Sequence, residues 1–465
     1  MKCIQKTNYI NDIDIYRNRR DRLIKKLYEK GGGVAILSTA ERKFRNRDIT
    51  YPYRHDSYFY YLTGFTEPNA VLVLNASSIN SKQKSILFCR EKNHDLEIWE
   101  GFYYGPDSAR DVFGVDAAFA TDLLDDKLPG LLEEAGTVYY CFSSSGDFIS
   151  CRLNGWLNKL RYGYRSSVRS PNTLCDLSLI IDDMRLIKDK HELEIMRSAA
   201  KISALAHRYA MIGCHPGIRE YELEAELLRT FRMHGAQSPA YESIVAAGSN
   251  ACVLHHLAGN SIACNGDLIL IDAACELNGY ASDITRTFPV NGRFSATQRI
   301  LYDIVLSAQQ AAIDTTRADI SFDEPHNAAI RIIVQGLLDT GIISKTRFSD
   351  VDSVIAERAY IPFYMHRTGH WIGMDVHDCD NYYDHSVVQQ EANNHIVTSK
   401  ILKAGMVLTI EPGLYVRASN DVPEEYWNIG IRIEDSAIIR EYDCELITRD
   451  VPVNADEIED LMLRA

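Results

Sequence analysis

Several things are scarce in this chain of 465 residues, and each scarcity removes a class of function. No apolar stretch approaches the ~20 residues that a membrane-spanning helix needs. The opening MKCIQKTNYINDIDIYRNRRDRL has no apolar core of the kind a secretory signal carries. Positive charge is in the minority: 50 Lys and Arg stand against 64 Asp and Glu, for a net charge of −14. An acidic surface repels phosphate backbones and anionic lipid, so neither nucleic acid nor a membrane is expected as a partner. The 11 cysteines are an odd number without a C-x-x-C pair, and Cys89, Cys141 and Cys252 sit inside apolar runs. They read as reduced thiols of a cytoplasmic protein rather than as bridges or zinc ligands. There is no fixed-period repeat and no low-complexity tract.

What remains is an ordinary globular balance, 46% hydrophobic and 25% charged, in a chain long enough for two or three domains. In the first third, residues 33–38, 70–74, 85–89 and 137–142 read as buried strands, and 16–30 and 152–162 as helices. That alternation predicts an α/β domain. The glycines at 31–33 precede a strand and lack the lysine of a phosphate loop, so they read as a helix stop and turn. The polar, proline-bearing RSSVRSPNT near residue 170 reads as a linker, dividing the chain into domains 1–175 and 176–465. A long helix is expected over 189–211, opened by a capping box of Asp189 and Glu192. Further helices are expected at 219–234 and 295–316, and strands at 243–247, 268–273, 279–288, 407–411 and 430–439. The run 384–400 reads as a surface loop.

The chemistry concentrates in four short stretches. In DLILIDAACELNGYASDITRTF, 267–288, Asn278-Gly279 sits between apolar segments, the strongest short-range signal for a hairpin. A two-residue turn there sets Leu277 opposite Tyr280, Asp272 opposite Thr285 and Ala274 opposite Asp283. Asp272 and Asp283 then share a face as diagonal neighbours, able to hold one cation between them. Two buried, unpaired carboxylates are otherwise unfavourable. The alternatives are that both face solvent, or that Arg286 compensates one of them. GMVLTIEPGLYV, 405–416, and NIGIRIEDSAII, 428–439, add Glu411 and Glu434, each set in an apolar strand. MHRTGHWIGMDVHD, 365–378, adds His366, His370 and His377 among glycines that disfavour a helix, and His255 in CVLHHL is a fourth histidine candidate. Four carboxylates and one imidazole suit a pair of oxygen-preferring divalent ions such as manganese. Two such ions could acidify a water and clamp a tetrahedral intermediate, so the reaction class is metal-assisted hydrolysis.

With these residues, the stretch from Asp189 to Leu463 resembles the metal-dependent aminopeptidase P (Xaa-Pro aminopeptidase) family of pita-bread fold. The resemblance is carried by YESIVAAGSNACVLHH, LIDAACELNGYASDITRTFPVNGRF, HWIGMDVHD, MVLTIEPGLYV and GIRIED. YPYRHDSYFYYLTGFTEPNAVLVL, 51–74, is similar to that family's first domain. The resemblance implies a C-terminal domain with a curved, mostly antiparallel sheet backed by helices in two pseudo-symmetric halves, a symmetry not visible in the sequence. It implies two divalent metals, Mn2+ as the expected ion. Asp272 would be bidentate on one, Asp283 and Glu434 would bridge both, and His370 and Glu411 would complete the second.

The activity implied is removal of the N-terminal residue from peptides with proline at position two. The alternatives are a prolidase restricted to Xaa-Pro dipeptides and a peptide-binding scaffold that has lost catalysis. Glu411 would manage the proton of the attacking water, His377 would act at the scissile bond, and His255 would stabilise the intermediate. His366, Tyr415 and Arg432 would shape the proline pocket. The family implies a homodimer or homotetramer, with Trp99 as the residue that would reach a neighbouring pocket; a buried structural tryptophan is the other reading there. One departure stands out: Arg367 and Thr368 follow His366 where the family usually has glycine directly after the histidine. The 384–400 run also exceeds the family's usual length.

Overall fold

The computed structural model describes residues 13–77, 83–133, 135–142, 147–162, 169–391 and 394–463. Contacts divide the chain into two compact units, Met1–Met184 and Arg185–Ala465. Residues 165–168 of the stretch read as a linker lie outside the described residues.

The first unit is built on a six-stranded sheet, in the spatial order Ala117–Ala120, Ser85–Cys89, Val71–Asn75, Val34–Ser38, Thr137–Tyr140, Thr173–Asp176. Val71–Asn75 runs antiparallel to both neighbours, and the other pairings are parallel. Helices cover the strands, which is why the strands read as continuous apolar runs rather than alternating ones. Leu124, Leu128, Leu132, Leu153 and Trp156 pack on Val34, Ile36, Val73 and Val138. The helix Ile13–Glu29 ends at the glycines, where the Gly32 N–H donates to Leu27 O at 3.0 Å.

The second unit places small antiparallel sheets under long helices. Ile244–Ala247, Leu268–Asp272 and Thr285–Pro289 form one sheet, Val407–Ile410, Asp435–Ile439 and Cys444–Leu446 another, and Gly413–Val416 pairs with Ile429–Arg432. Every strand pairing in this unit is antiparallel among the described residues. The helix Lys190–Gly213 begins at the expected capping box: Asp189 accepts from the Glu192 N–H at 3.0 Å and Glu192 from the Asp189 N–H at 2.9 Å. Met211, Leu223, Phe231, Leu301, Val305, Ile333 and Leu337 share one core with Ile269, Ile271, Phe288, Leu408 and Ile410. Ten cysteines of the described residues are free thiols.

Four elements of the second unit differ from the sequence reading. The run 384–400 is a strand pair, Tyr383–Glu391 with Asn394–Ser399, rather than a loop. The expected strands 279–288 and 430–439 are each interrupted, at 282–284 and at 433–434. Those interruptions carry Asp283 and Glu434. The helix Asp323–Asp339 was not anticipated; Asp323 and Glu324 open it, and Pro325 is tolerated in the first turn, where its missing N–H is not needed.

Candidate active site

The hairpin forms in the expected register. Leu277 faces Tyr280 and Asp272 faces Thr285. Asn278 and Gly279 have φ of 49° and 78°, the left-handed pair that a two-residue hairpin turn of this kind requires. Between these two rungs the strands are interrupted, but the backbone bonds that remain keep the same register and flank Ala274 and Asp283: Ala273 N donates to Ile284 O at 3.4 Å and Ser282 N to Cys275 O at 3.1 Å. Asp272 and Asp283 are brought together. The Tyr241 hydroxyl lies 2.6 Å from Oδ1 of each. Neither aspartate faces solvent freely; Asp283 is 4% exposed. Arg286 does not compensate them, since it donates to Asp435 Oδ1 at 2.9 Å instead. Arg432 does: its Nη2 donates to Asp272 Oδ2 at 2.6 Å.

The other ligand candidates converge on the same point. Glu434, in the break between two strands, accepts from Thr285 Oγ1 at 2.7 Å. Glu411, one residue past Val407–Ile410, faces His370 Nε2 from 3.6 Å, and Asp283 Oδ2 lies 3.3 Å from the same nitrogen. One donor atom from each of Asp283, His370 and Glu434 falls within 4.8 Å of the others.

The charges at this point fit a cation. His370 Nδ1 lies 2.9 Å from Trp371 O, a carbonyl that can only accept, so Nδ1 carries a proton. In the neutral ring Nε2 is then a bare lone pair aimed at two carboxylates. Without a cation the imidazole takes a second proton: burial opposes this, but Asp283 and Glu411 outweigh burial and push it up to about 9. Burial, reinforced by Asp283 and Asp272, raises Glu411 to about 7 against the pull of His370 and Arg432. Burial and the neighbouring Asp283 and Glu411 drive Glu434 well above the carboxylate range. Tyr241 has one hydroxyl proton for two carboxylate oxygens at equal distance. Protons therefore stand where divalent cations would relieve the same repulsion, and an oxygen-rich donor set with one imidazole suits such ions.

Above this cluster opens a cavity of about 630 Å³, lined among others by Leu254, His255, Leu257, His366, His377 and Tyr382. The His377 ring stands edge-on to His370, with centroids 4.5 Å apart. His366, Tyr415 and Arg432 form a directed chain. Arg432 Nη1 donates to the Tyr415 hydroxyl at 2.8 Å, and that hydroxyl lies 2.9 Å from His366 Nε2. His366 Nδ1 donates to Arg367 O at 2.8 Å, so Nε2 accepts from Tyr415. Burial and Arg432 lower His366 to about 3, and the ring is neutral. Arg367 lines the cavity while its guanidinium pairs with Asp323 and donates to the Tyr383 hydroxyl at 3.2 Å. Thr368 is buried, 2.8 Å from His326 Nδ1. Trp99 lies on the helix His94–Glu100 of the first unit, 86% exposed, so the buried reading of that residue does not hold.

Residues 194–441 match metallopeptidase family M24, and residues 16–139 match the aminopeptidase P N-terminal domain. The chain belongs to metallopeptidase family M24. Among M24 relatives, the Xaa-Pro aminopeptidase of Escherichia coli (strain K12) is 41% identical over 97% of this chain and 98% of its own length. The structure of Pseudomonas aeruginosa aminopeptidase PepP superposes with a TM-score of 0.91 at 43% identity, covering 97% of this chain and 98% of that one. A variant of Escherichia coli aminopeptidase P in complex with substrate superposes with a TM-score of 0.90 at 40% identity, covering 97% and 98%. The expected class, an N-terminal α/β domain followed by an M24 domain with mostly antiparallel sheets, is the one observed.

In this M24 site the sequence reading missed the groups that hold the ligand candidates in place. Tyr241, Thr285 and Thr409 lie inside stretches that carry the family resemblance, but nothing in their residue types marks a supporting role. Tyr241 stands three residues before Ile244, the partner of Asp272, and only that register places it at the aspartates. Thr409 Oγ1, 3.3 Å from Glu411 Oε1, also accepts from the His370 N–H at 3.0 Å.

Proposed function

We propose that this M24 chain removes the N-terminal residue from peptides whose second residue is proline. Asp272, Asp283, His370, Glu411 and Glu434 would hold two divalent cations, manganese being the ion that best suits the donors. The observation that carries this reading is the convergence of four carboxylates and one imidazole on the floor of the cavity, with His370 Nε2 facing Asp283 and Glu411. Names of relatives that cover nearly the whole chain support the aminopeptidase over a dipeptide-restricted prolidase.

A pair of divalent cations, when bound, acidifies water and supplies Lewis acidity. The rest is the work of the chain's own side chains. Glu411 takes up the proton of the attacking water at a carboxylate oxygen. His377 hydrogen-bonds at the scissile bond while the proton taken up by Glu411 passes to the departing proline nitrogen, and His255 steadies the charge that develops on the carbonyl oxygen. His366, with Tyr415 and Arg432 fixed behind it, shapes the pocket for the ring. The bond before proline lacks an N–H, and the ring fixes φ. Recognition through shape then replaces the contact that an ordinary peptidase makes to the scissile N–H.

The exposed Trp99 supports a homodimer or homotetramer in which this side chain of one copy reaches the cavity of another. Free thiols, together with no helix long and apolar enough to cross a membrane among the described residues, support a cytoplasmic enzyme.

The test uses purified protein with added manganese and three substrates: a tripeptide with proline at position two, its alanine counterpart and an Xaa-Pro dipeptide. Release of the first residue from the proline tripeptide is expected, with the alanine peptide left intact. Cleavage of the dipeptide alone would make the chain a prolidase. Hydrolysis of none would make it a binding scaffold.

A further inference from the structure

The turn that carries His377 is fastened from behind by a buried charge cluster. Asp378, the next residue, is 1% exposed at its side chain and faces two buried cations. Arg185 Nη2 donates to Asp378 Oδ1 at 2.7 Å, and Lys188 Nζ donates to Asp378 Oδ2 at 2.9 Å. The same Arg185 nitrogen donates to Asp375 Oδ2 at 2.8 Å, so one guanidinium grips the turn at both ends. Burial works against ionisation of Asp378, but Lys188 and Arg185 outweigh it and keep the carboxyl below its ordinary range.

The backbone is arranged around this cluster. The Asp378 N–H donates to Trp371 O at 2.9 Å, and the Gly373 N–H to Asp375 O at 3.1 Å. A Cβ at Gly373 would lie 2.3 Å from Asp378 Oδ2 and 2.9 Å from Lys188 Cε, so glycine is what lets the carboxylate and the ammonium meet against the chain. Gly373 O in turn accepts from the Ala281 N–H at 2.8 Å, which ties the turn to the hairpin two residues before Asp283. The turn is thus fixed to the segment that carries one ligand candidate, while the His377 ring meets another, His370, edge-on.

Such a buried cluster is a poor source of stability, because removing charges from water offsets most of their attraction. It is an effective source of geometry. Two cations fixed on the segment 185–188 allow one placement of the Asp378 carboxylate, and among the described residues the adjoining His377 ring makes no hydrogen bond of its own. We propose that Asp378, held by Arg185 and Lys188, is a positioning residue that sets the His377 imidazole at the scissile bond. This rests on the reading of His377 given above, and the experiment separates the two.

The test is a double-mutant cycle on the metal-loaded enzyme with a proline tripeptide. Asp378→Asn keeps size and some hydrogen bonding but removes the charge; it is expected to lower kcat by roughly 10- to 100-fold with KM and metal content little changed, the scale seen when outer partners of a site are lost. In a His377→Ala background the same substitution is expected to have no further effect on kcat, because the group it positions is gone. Equal losses in both backgrounds would overturn the proposal, as would an Asp378→Asn enzyme of normal kcat. A His377→Ala enzyme of normal kcat would overturn the reading of His377 itself, and the proposal with it. Lys188→Gln, which removes one donor and leaves Asp378 in place, repeats the cycle if Asp378→Asn fails to fold, and is judged by the same outcomes.

Discussion

Arg432 Nη2 and Asp272 Oδ2 are 2.6 Å apart, and their side chains are 5% and 15% exposed. The same guanidinium reaches the Tyr415 hydroxyl, so one planar fork joins the proposed ligand cluster to the wall of the proposed proline pocket. An ammonium group cannot span both partners in that way. Arg432→Ala leaves Asp272 without its cation. A loss of about 3–5 kcal/mol is expected for breaking a buried pair from one side. Urea denaturation of the metal-free protein measures it, and added manganese is expected to recover part of it. Arg432→Lys is expected to keep more of the stability while kcat/KM falls at least roughly tenfold.

The protons held by the cluster make a prediction about pH. In the metal-free fold His370 is raised to about 9 and Glu411 to about 7. For both groups the folded protein binds protons more tightly than the unfolded chain, so their contribution is full below the unfolded values. It is lost as pH rises through the folded ones. Chelated protein is therefore expected to melt at lower temperature at pH 9 than at pH 6. Metal binding must displace the same protons. Manganese affinity is expected to rise across that interval, and calorimetry in two buffers of different ionisation enthalpy is expected to show proton release. A flat melting profile together with binding free of proton release would contradict the cluster as described.

By the family resemblance read from the sequence, Arg367 stands where glycine is expected after the histidine. It lines the cavity but is drawn toward Asp323 and Tyr383, with side-chain exposures of 41% and 31% for the Arg367–Asp323 pair. A half-exposed pair of this kind contributes about 0–1 kcal/mol. Arg367→Gly is expected to change stability by no more than that and to leave kcat nearly unchanged. KM should shift a few-fold, which a comparison of proline tripeptides with different third residues measures.

The parts of the site legible in the sequence were those governed by short-range rules. Asn278-Gly279 dictates the turn, the turn dictates the register, and the register set Asp272 opposite Thr285. Glu411 and Glu434 stood out because their neighbours are apolar. The partners around Asp283 were not legible, because Tyr241, which donates to its carboxylate, and Gly373, which accepts from Ala281, lie far from it in the chain. For the same reason nothing in the sequence marks Arg185 and Lys188 as buried: their partners lie about 190 residues away in the chain. The pairing of 383–391 with 394–399 was hidden by a polar composition that fits a loop equally well.

Trp99 gives a prediction about assembly. A side chain 86% exposed adds little to the fold of its own unit, so Trp99→Ala is expected to change stability by less than about 0.5 kcal/mol. If the residue completes the cavity of a second copy, kcat/KM falls in this variant although each chain is folded and metal-loaded. Sedimentation beside the assay reads both, and unchanged kcat/KM would remove Trp99 from the site.

The most direct measurement is an anomalous difference map from crystals soaked in manganese. Two peaks are expected within bonding reach of Asp272, Asp283, His370, Glu411 and Glu434, both lost when Asp283 is replaced by alanine. Absence of any peak among these side chains, or turnover that survives Asp283→Ala, would contradict the account.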